Sequence, residues 1–304
     1  MAVNQFKESG IGFCFAVLQN LLFFWSVPLL AERYWPAFLQ LKDDWNWREY
    51  TWVYLIGNTL QVLVYLGSNL GFFFCYKLNH PFFERYKAVD DPWPWETDRL
   101  EWNRLFWRSI KLTALNSIVI NFMMNYPNVA ADKPIPFRID TVYDSPFTLF
   151  LQIMFCNLVE NLLFYFSHSL LHKPFFYKMV HKIHHEHRVT TCIAQIHAHP
   201  LEYIFGNALP AGVGCLVLGK RMHMSSYLGW IVWRNFEAAY GHSGYAFSWN
   251  PFRILPFNTD SRSHPFHHSE NVGNYGSTLK VWDLIYGTNS AFQKQVKEDH
   301  RKTE

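Results

Sequence analysis

From Phe166 to His185 the chain reads FSHSLLHKPFFYKMVHKIHH, which gathers five of its 15 histidines into one short stretch. His168 and His172 are four apart, and His181, His184 and His185 follow at i, i+3 and i+4. The same pattern returns as His264, His267 and His268 in SHPFHH, where Pro265 suggests that a helix begins. On a helix this spacing points the rings from one face, one turn above the other. A single histidine is ordinarily a surface or hydrogen-bonded structural residue, but eight in three spaced clusters predict metal ligands. Eight neutral imidazoles exceed what one ion accepts, so two metals are expected. Imidazole suits zinc, copper, iron and nickel alike, which leaves a zinc hydrolase open on ligand type. Context favours iron, because a histidine site at the mouth of an apolar bundle suits oxidation of an unactivated lipid carbon by O2.

The elements that must position these residues are apolar. Gly10 to Leu30 and Thr51 to Tyr76 carry no charge, and each is long enough to cross the roughly 30 Å hydrocarbon core as a helix. Ser109 to Met124, with Lys111, and Phe147 to Phe166, with Glu160, are read as two further spans, Glu160 facing inward. Tyr203 to Leu218 and Met224 to Ile231 are apolar stretches of re-entrant, interfacial or buried type. The fold expected is therefore an all-α integral membrane protein of about four transmembrane helices with a cytosol-facing, histidine-rich helical catalytic domain. Residues 1–146 form the membrane-anchoring helices and an interfacial segment, 147–290 the histidine domain, and 291–304 a polar tail. The first block is longer than a signal-peptide core and no small-residue cleavage site follows, so it is read as a retained anchor. Lys77, Arg85, Lys87, Arg99 and Arg104 join the second and third spans, against Lys133 and Arg138 between the third and fourth, which places the histidines on the basic, cytosolic side.

Other chemistries find little support. The net charge of +3 is modest for a nucleic-acid binder, and the tryptophans at 93, 95, 102 and 107 suit the headgroup layer, where an indole is half wet. The cysteines at 14, 75, 156, 192 and 215 form no C-x-x-C pair and read as small buried hydrophobes of a reducing compartment. The sequence contains no Gly-rich phosphate loop and no G-x-S-x-G elbow.

HSLLH, HKIHH and HPFHH, with AHPLE (198–202), GHSGY (241–245), NPFRILPF (250–257) and GNYGSTLKVWDLIYGT (273–288), resemble the fatty acid hydroxylase and sterol desaturase superfamily. Within it the order is most similar to the methylsterol monooxygenases, which oxidise the methyl group on sterol carbon 4. The resemblance covers roughly Glu160 to Thr288 and implies a histidine-ligated diiron centre. It makes His168, His172, His181, His184, His185, His264, His267 and His268 ligands and adds His199 and His242, for which hydrogen bonding in a loop is the plainer alternative. His80, His187, His197, His223 and His300 match no box and are read as solvated or structural. Glu160, Glu202, Glu237 and Asp283 are candidates to orient imidazoles, with helix capping as the simpler role.

The resemblance further implies O2-dependent oxidation of a membrane sterol. No HPGG heme motif is present, so electrons are expected from a separate cytochrome b5 and its NAD(P)H-dependent reductase. The ending HRKTE resembles a dilysine-type retrieval signal and suggests the endoplasmic reticulum membrane, with a mitochondrial membrane as the alternative. The pattern departs at Asn161, Ser169, Ala246 and Pro265, three of which stand where the methylsterol oxidases have acids. That keeps two rivals: another sterol or alkyl-chain hydroxylase or desaturase of the superfamily, and a non-catalytic membrane subunit of a larger complex that retained the fold.

Overall fold

A computed structural model describes residues 10–303, and the side chains of His300 and the residues beyond Arg301 lie outside that description. Among the described residues there is no strand beyond three isolated backbone bridges. Four helical segments among these residues are long and apolar enough to cross a membrane: Gly10–Asp44 (α1), Glu49–Leu78 (α2), Pro146–Leu171, and Pro200–Arg221. The chain is thus an all-α, multi-pass membrane protein. Large apolar side chains such as Leu22, Trp25 and Leu29 on α1 stand exposed, while Asn20, Gln152, Asn157, Glu160 and Asn161 are buried. That inversion suits helices whose outer face meets lipid and whose polar groups must find partners inside.

The identity of two segments differs from the expectation. Ser109 to Met124 belongs to a longer helical run, Arg99–Ala114 (α3) and Asn121–Ala130 (α4), joined through the π-turn Leu115–Ile120. Its inner face is amide-rich: Asn121 Nδ2 donates to Asn58 Oδ1 at 2.8 Å, Tyr50 Oη to Asn125 Oδ1 at 3.1 Å, and Asn128 Nδ2 to Tyr50 Oη at 3.0 Å. These bonds pin the run antiparallel to α2, and the same asparagines lower its apolarity. Pro200–Arg221 takes its place among the spans, passing through a π-turn at Tyr203–Ala208 into Leu209–Leu218.

Pro146–Leu171 is α5, with Ser145 as N-cap accepting from Thr148 N–H at 3.1 Å and Pro146 at the first position. Leu209–Leu218 is α6, and it packs closely on α5 because Gly214 has no side chain: a Cβ there would lie 2.9 Å from Cys156 Cα. After a short turn, Met224–Gly241 (α7) returns between α2 and α5. The hairpin therefore begins at His199 and ends at His242, both at the histidine end of the bundle. Ser263–Glu270 (α8), Val281–Tyr286 (α9) and Ser290–Thr303 (α10) complete the chain. α8 starts two residues before Pro265, which sits in its first turn where a missing N–H costs nothing.

The tryptophan-rich segment is only partly interfacial. Trp93 is 1% exposed, its ring 5.4 Å from Trp95 and 4.9 Å from Tyr76, and its indole N–H donates to Glu84 Oε2 at 3.1 Å. Trp107 is exposed. All five cysteines are free, and Cys156, Cys192 and Cys215 are buried.

Candidate metal centre

Among the described residues nine histidines converge in two adjoining groups. His168, His172, His181, His185 and His267 form the first, and His184, His242, His264 and His268 the second; in each, the ring nitrogens all lie within 4.8 Å of one another. The rule behind the division is simple. The i, i+4 pairs stay together: His168 and His172 on α5 and its C-cap, His181 and His185, and, in the other group, His264 and His268 on α8. His184 and His267 cross to the opposite group from their neighbours. His181–Glu186 is a 3-10 helix and not the α-helix implied by its spacing. There residues i and i+3 eclipse and rise about 6 Å, so His181 and His184 point alike from successive levels into successive groups. The groups touch, with the His185 and His268 rings 4.7 Å apart and the His181 and His184 rings 5.5 Å apart.

The proton positions decide what such groups can hold. Within the first, Nε2 of His168 lies 3.2 Å from that of His181, His181 3.0 Å from His172, His185 3.1 Å from His181, and His172 3.1 Å from His267. In the second, His264 and His242 Nε2 are 2.9 Å apart and His268 and His264 3.2 Å. The outer nitrogens face acceptors. Nδ1 of His168 meets Tyr275 O at 3.0 Å, His184 meets His197 O at 3.1 Å, His242 meets Ala238 O at 2.8 Å, His268 meets His187 O at 2.9 Å, and His267 meets Gly273 O. His181 Nδ1 lies 2.9 Å from Glu202 Oε1. A carbonyl or carboxylate accepts only, so each of these imidazoles carries its proton on Nδ1 and turns an Nε2 lone pair inward. Lone pairs facing one another at about 3 Å repel; a cation between them is what the donor set fits.

Burial keeps the rings of His172, His184, His185, His242, His264, His267 and His268 neutral and ready to bind. It pushes His172 down to about 3, with the nearby His181 adding to the shift, and His185 down to about 2. His242 falls to about 4 by burial, and His184, His264, His267 and His268 lie well below the usual value for the same first reason.

The four acids divide by role. Glu202 orients His181 directly. Asp283 acts through the loop: Oδ1 accepts from Tyr275 N–H at 2.8 Å and Thr288 Oγ1 at 2.6 Å, and Oδ2 from Gly276 N–H at 2.8 Å. That holds in place the Tyr275 and Gly273 carbonyls serving His168 and His267. Gly273 has φ +59, and a Cβ there would run into Thr288 O. Glu160 Oε1 pairs with Arg234 Nη2 at 2.8 Å while Oε2 accepts from Ser277 Oγ at 2.9 Å. Glu237 is buried beside them. None of the six placed Nδ1 protons depends on position 246 or 265, because five of the six go to backbone carbonyls.

His199 lies outside both groups, where its Nδ1 accepts from Leu201 N–H at 3.2 Å as the cap of the short helix Pro200–Glu202. His187 and His197, matching no box, are fully buried supports. Ser109 Oγ bridges His187 Nε2 at 2.9 Å and His197 Nδ1 at 2.8 Å, and His197 Nε2 lies 3.0 Å from Glu186 Oε2. Their carbonyls take the Nδ1 protons of His268 and His184. His223 is buried as the N-cap of α7, and His80 caps the turn Pro81–Glu84. No spacing signal marks His187 and His197, since their partner Ser109 is 78 and 88 residues away.

Two cavities serve the site. A chamber of about 70 Å³ is lined by His168, His181, His184, His242 and His264. Next to it lies a cavity of about 390 Å³ between α2, α4 and the α6–α7 hairpin, with Val53, Ile196, Leu209 and Trp230 in its walls beside the amides of Asn58 and Asn125. Its volume falls within the roughly 300–1,000 Å³ typical of small-molecule sites.

Comparison with known proteins places these features. The fatty acid hydroxylase family model matches residues 153–288. Methylsterol monooxygenase 1 of Danio rerio is 33% identical over 262 residues, 83% of this chain and 81% of the relative. Methylsterol monooxygenase 1 of Rattus norvegicus is 30% identical over 286 residues, 90% of each chain. Fatty acid hydroxylase domain-containing protein 2 of Macaca fascicularis is 39% identical over 147 residues, 48% of this chain and 40% of the relative. No solved structure matches.

Proposed function

The chain belongs to the fatty acid hydroxylase family, and from that premise we propose that it is a membrane monooxygenase that oxidises the carbon-4 methyl group of a sterol with O2 at a pair of irons. The observation that carries the reading is the convergence of nine imidazoles, six of which hold their Nδ1 protons outward and turn their Nε2 lone pairs inward, beside a largely apolar cavity of about 390 Å³. His168, His172, His181, His185 and His267 would hold one iron, and His184, His242, His264 and His268 the other. Bound iron supplies the one-electron and O2 chemistry that no side chain provides.

The chain's own work is positional. Glu202 and the carbonyls of Tyr275, Gly273, His197, His187 and Ala238 keep six imidazoles in the tautomer that binds. Asp283 keeps the 273–276 loop still. Val53, Ile196, Leu209 and Trp230 receive an apolar substrate and keep water from the chamber. Electrons would reach the site from cytochrome b5 and its NAD(P)H-dependent reductase, with the histidine end of the bundle facing the cytosol and the protein resident in the endoplasmic reticulum membrane.

Reconstitution tests the proposal. Purified protein with cytochrome b5, reductase, NADH and O2 should convert a 4-methylsterol to oxygenated products, and His184→Ala should abolish this. Iron-loaded protein that oxidises no sterol, fatty acid or alkane with a competent donor would leave the non-catalytic subunit as the better account.

A further inference from the structure

The large cavity and the histidine chamber meet at four residues that line both: Gln195, Asn207, Arg234 and Ala238. Gln195 sits on the 3-10 turn Cys192–Ile196, which is held rigidly at both ends. Cys192 N–H donates to Tyr76 Oη at 3.1 Å, and Asn116 Nδ2 donates to Ala198 O at 2.9 Å. Gln195 is 4% exposed, its Nε2 meets only the Cys192 sulfur at 3.7 Å, and its Oε1 has no partner. Arg234 is 9% exposed; one of its terminal nitrogens pairs with Glu160, and its Nε–H has no partner. One junction thus leaves a buried acceptor and a buried donor unanswered, although buried polar groups are as a rule paired.

A hydroxyl is the small group that answers both, donating to Oε1 and accepting from Nε–H. We infer that Gln195, with Arg234 Nε, binds the hydroxyl of the substrate at the entrance to the histidine chamber, and that Gln195 thereby determines which carbon faces the metals. The inference rests on the proposed sterol oxidation and adds what selects the position. In a 3-hydroxy-4-methylsterol the hydroxyl-bearing carbon adjoins the carbon carrying the methyl. Holding the hydroxyl at the junction presents its neighbour to the chamber while the ring system lies in the apolar cavity. Asn207 is only half-buried and Ala238 has no polar side chain, so neither replaces Gln195.

The test compares 3-hydroxy-4-methylsterol with its 3-deoxy analogue on wild-type protein and on Gln195→Met, which keeps the length and removes both polar atoms. Binding is read from quenching of tryptophan fluorescence, since Trp230 lines the cavity, and turnover is read separately. Wild type should bind the hydroxysterol about 10-fold more tightly than the deoxy analogue. Gln195→Met should lose that preference, bind the deoxy analogue as wild type does, and keep the wild-type iron content. Equal loss for both ligands, no loss for either, or wild-type protein that does not discriminate between them would overturn the inference. The wild-type comparison stands alone should the variant not fold. A hydroxyl preference without any methyl oxidation would overturn the function proposed above and leave this site intact; sterol oxidation without the preference would do the reverse.

Discussion

Replacing Asp283 by alanine should weaken metal binding although the carboxylate touches no proposed ligand. Asp283 is 2% exposed and accepts three hydrogen bonds, from the N–H groups of Tyr275 and Gly276 and from Thr288 Oγ1. Bonds to an ionised group contribute roughly 1.5–3 kcal/mol each and do not add fully, so the change should cost the fold on the order of 3–5 kcal/mol. The loop it frees carries the carbonyls that hold the Nδ1 protons of His168 and His267. Loss of an orienting partner typically lowers metal affinity about 10- to 100-fold. Competition with a chelator of known affinity, run beside thermal unfolding, separates the two effects. Asp283→Ala should release metal from the five-histidine group at correspondingly lower chelator, and Asp283→Asn, which keeps one acceptor oxygen, should fall between. An alanine variant that unfolds more easily yet holds metal as tightly as wild type would refute the idea that the loop orients the imidazoles.

The remaining predictions concern protons and supports. The unfolded histidine value of 6.5 falls to about 3 for His172 and about 4 for His242, so between those values the folded chain binds fewer protons than the unfolded one. These groups cost nothing above about pH 6.5, and each then destabilises the metal-free fold by up to about 1.4 kcal/mol per unit as the pH falls. Melting temperatures of chelator-treated protein should drop steadily from about pH 7 to about pH 5, and a flat profile would show that the rings are not held neutral by burial. Ser109→Ala leaves His187 and His197 without the hydroxyl that joins them and should cost about 1–3 kcal/mol in chemical denaturation; a change within error would mean that the bridge contributes nothing.

The first two spans and the histidine boxes were legible because each is a local pattern: an uncharged run of spanning length, or rings spaced one helical turn apart. The spacing brought the rings of each cluster to one face without saying which of them share a group; in the structure the i, i+4 partners fall together. The assignment of His184 and His267 to opposite groups was not legible, since it depends on the 3-10 twist at His181–Glu186 and on how α8 meets α5. The third span was misplaced for a related reason. Asn121, Asn125 and Asn128 are polar by type, and only their pairing with Tyr50 and Asn58 across the bundle shows why they lie inside. Conversely, Gly206, Asn207, Pro210, Gly212 and Gly214 dilute the apolar signal of Pro200–Arg221, yet Gly214 is what lets α6 approach α5. The missing acids at 246 and 265 suggested weakened support for the ligands, and backbone carbonyls supply that support, which side-chain patterns do not reveal.

The central claim is that two groups of histidines hold two irons, and metal analysis of protein purified without added metal from iron-replete cells tests it most directly. The account predicts two irons per chain, falling to about one when His242→Ala removes a member of the four-histidine group and leaves the five-histidine group whole. Two zincs without iron, or a single metal of any kind in the wild-type protein, would contradict it.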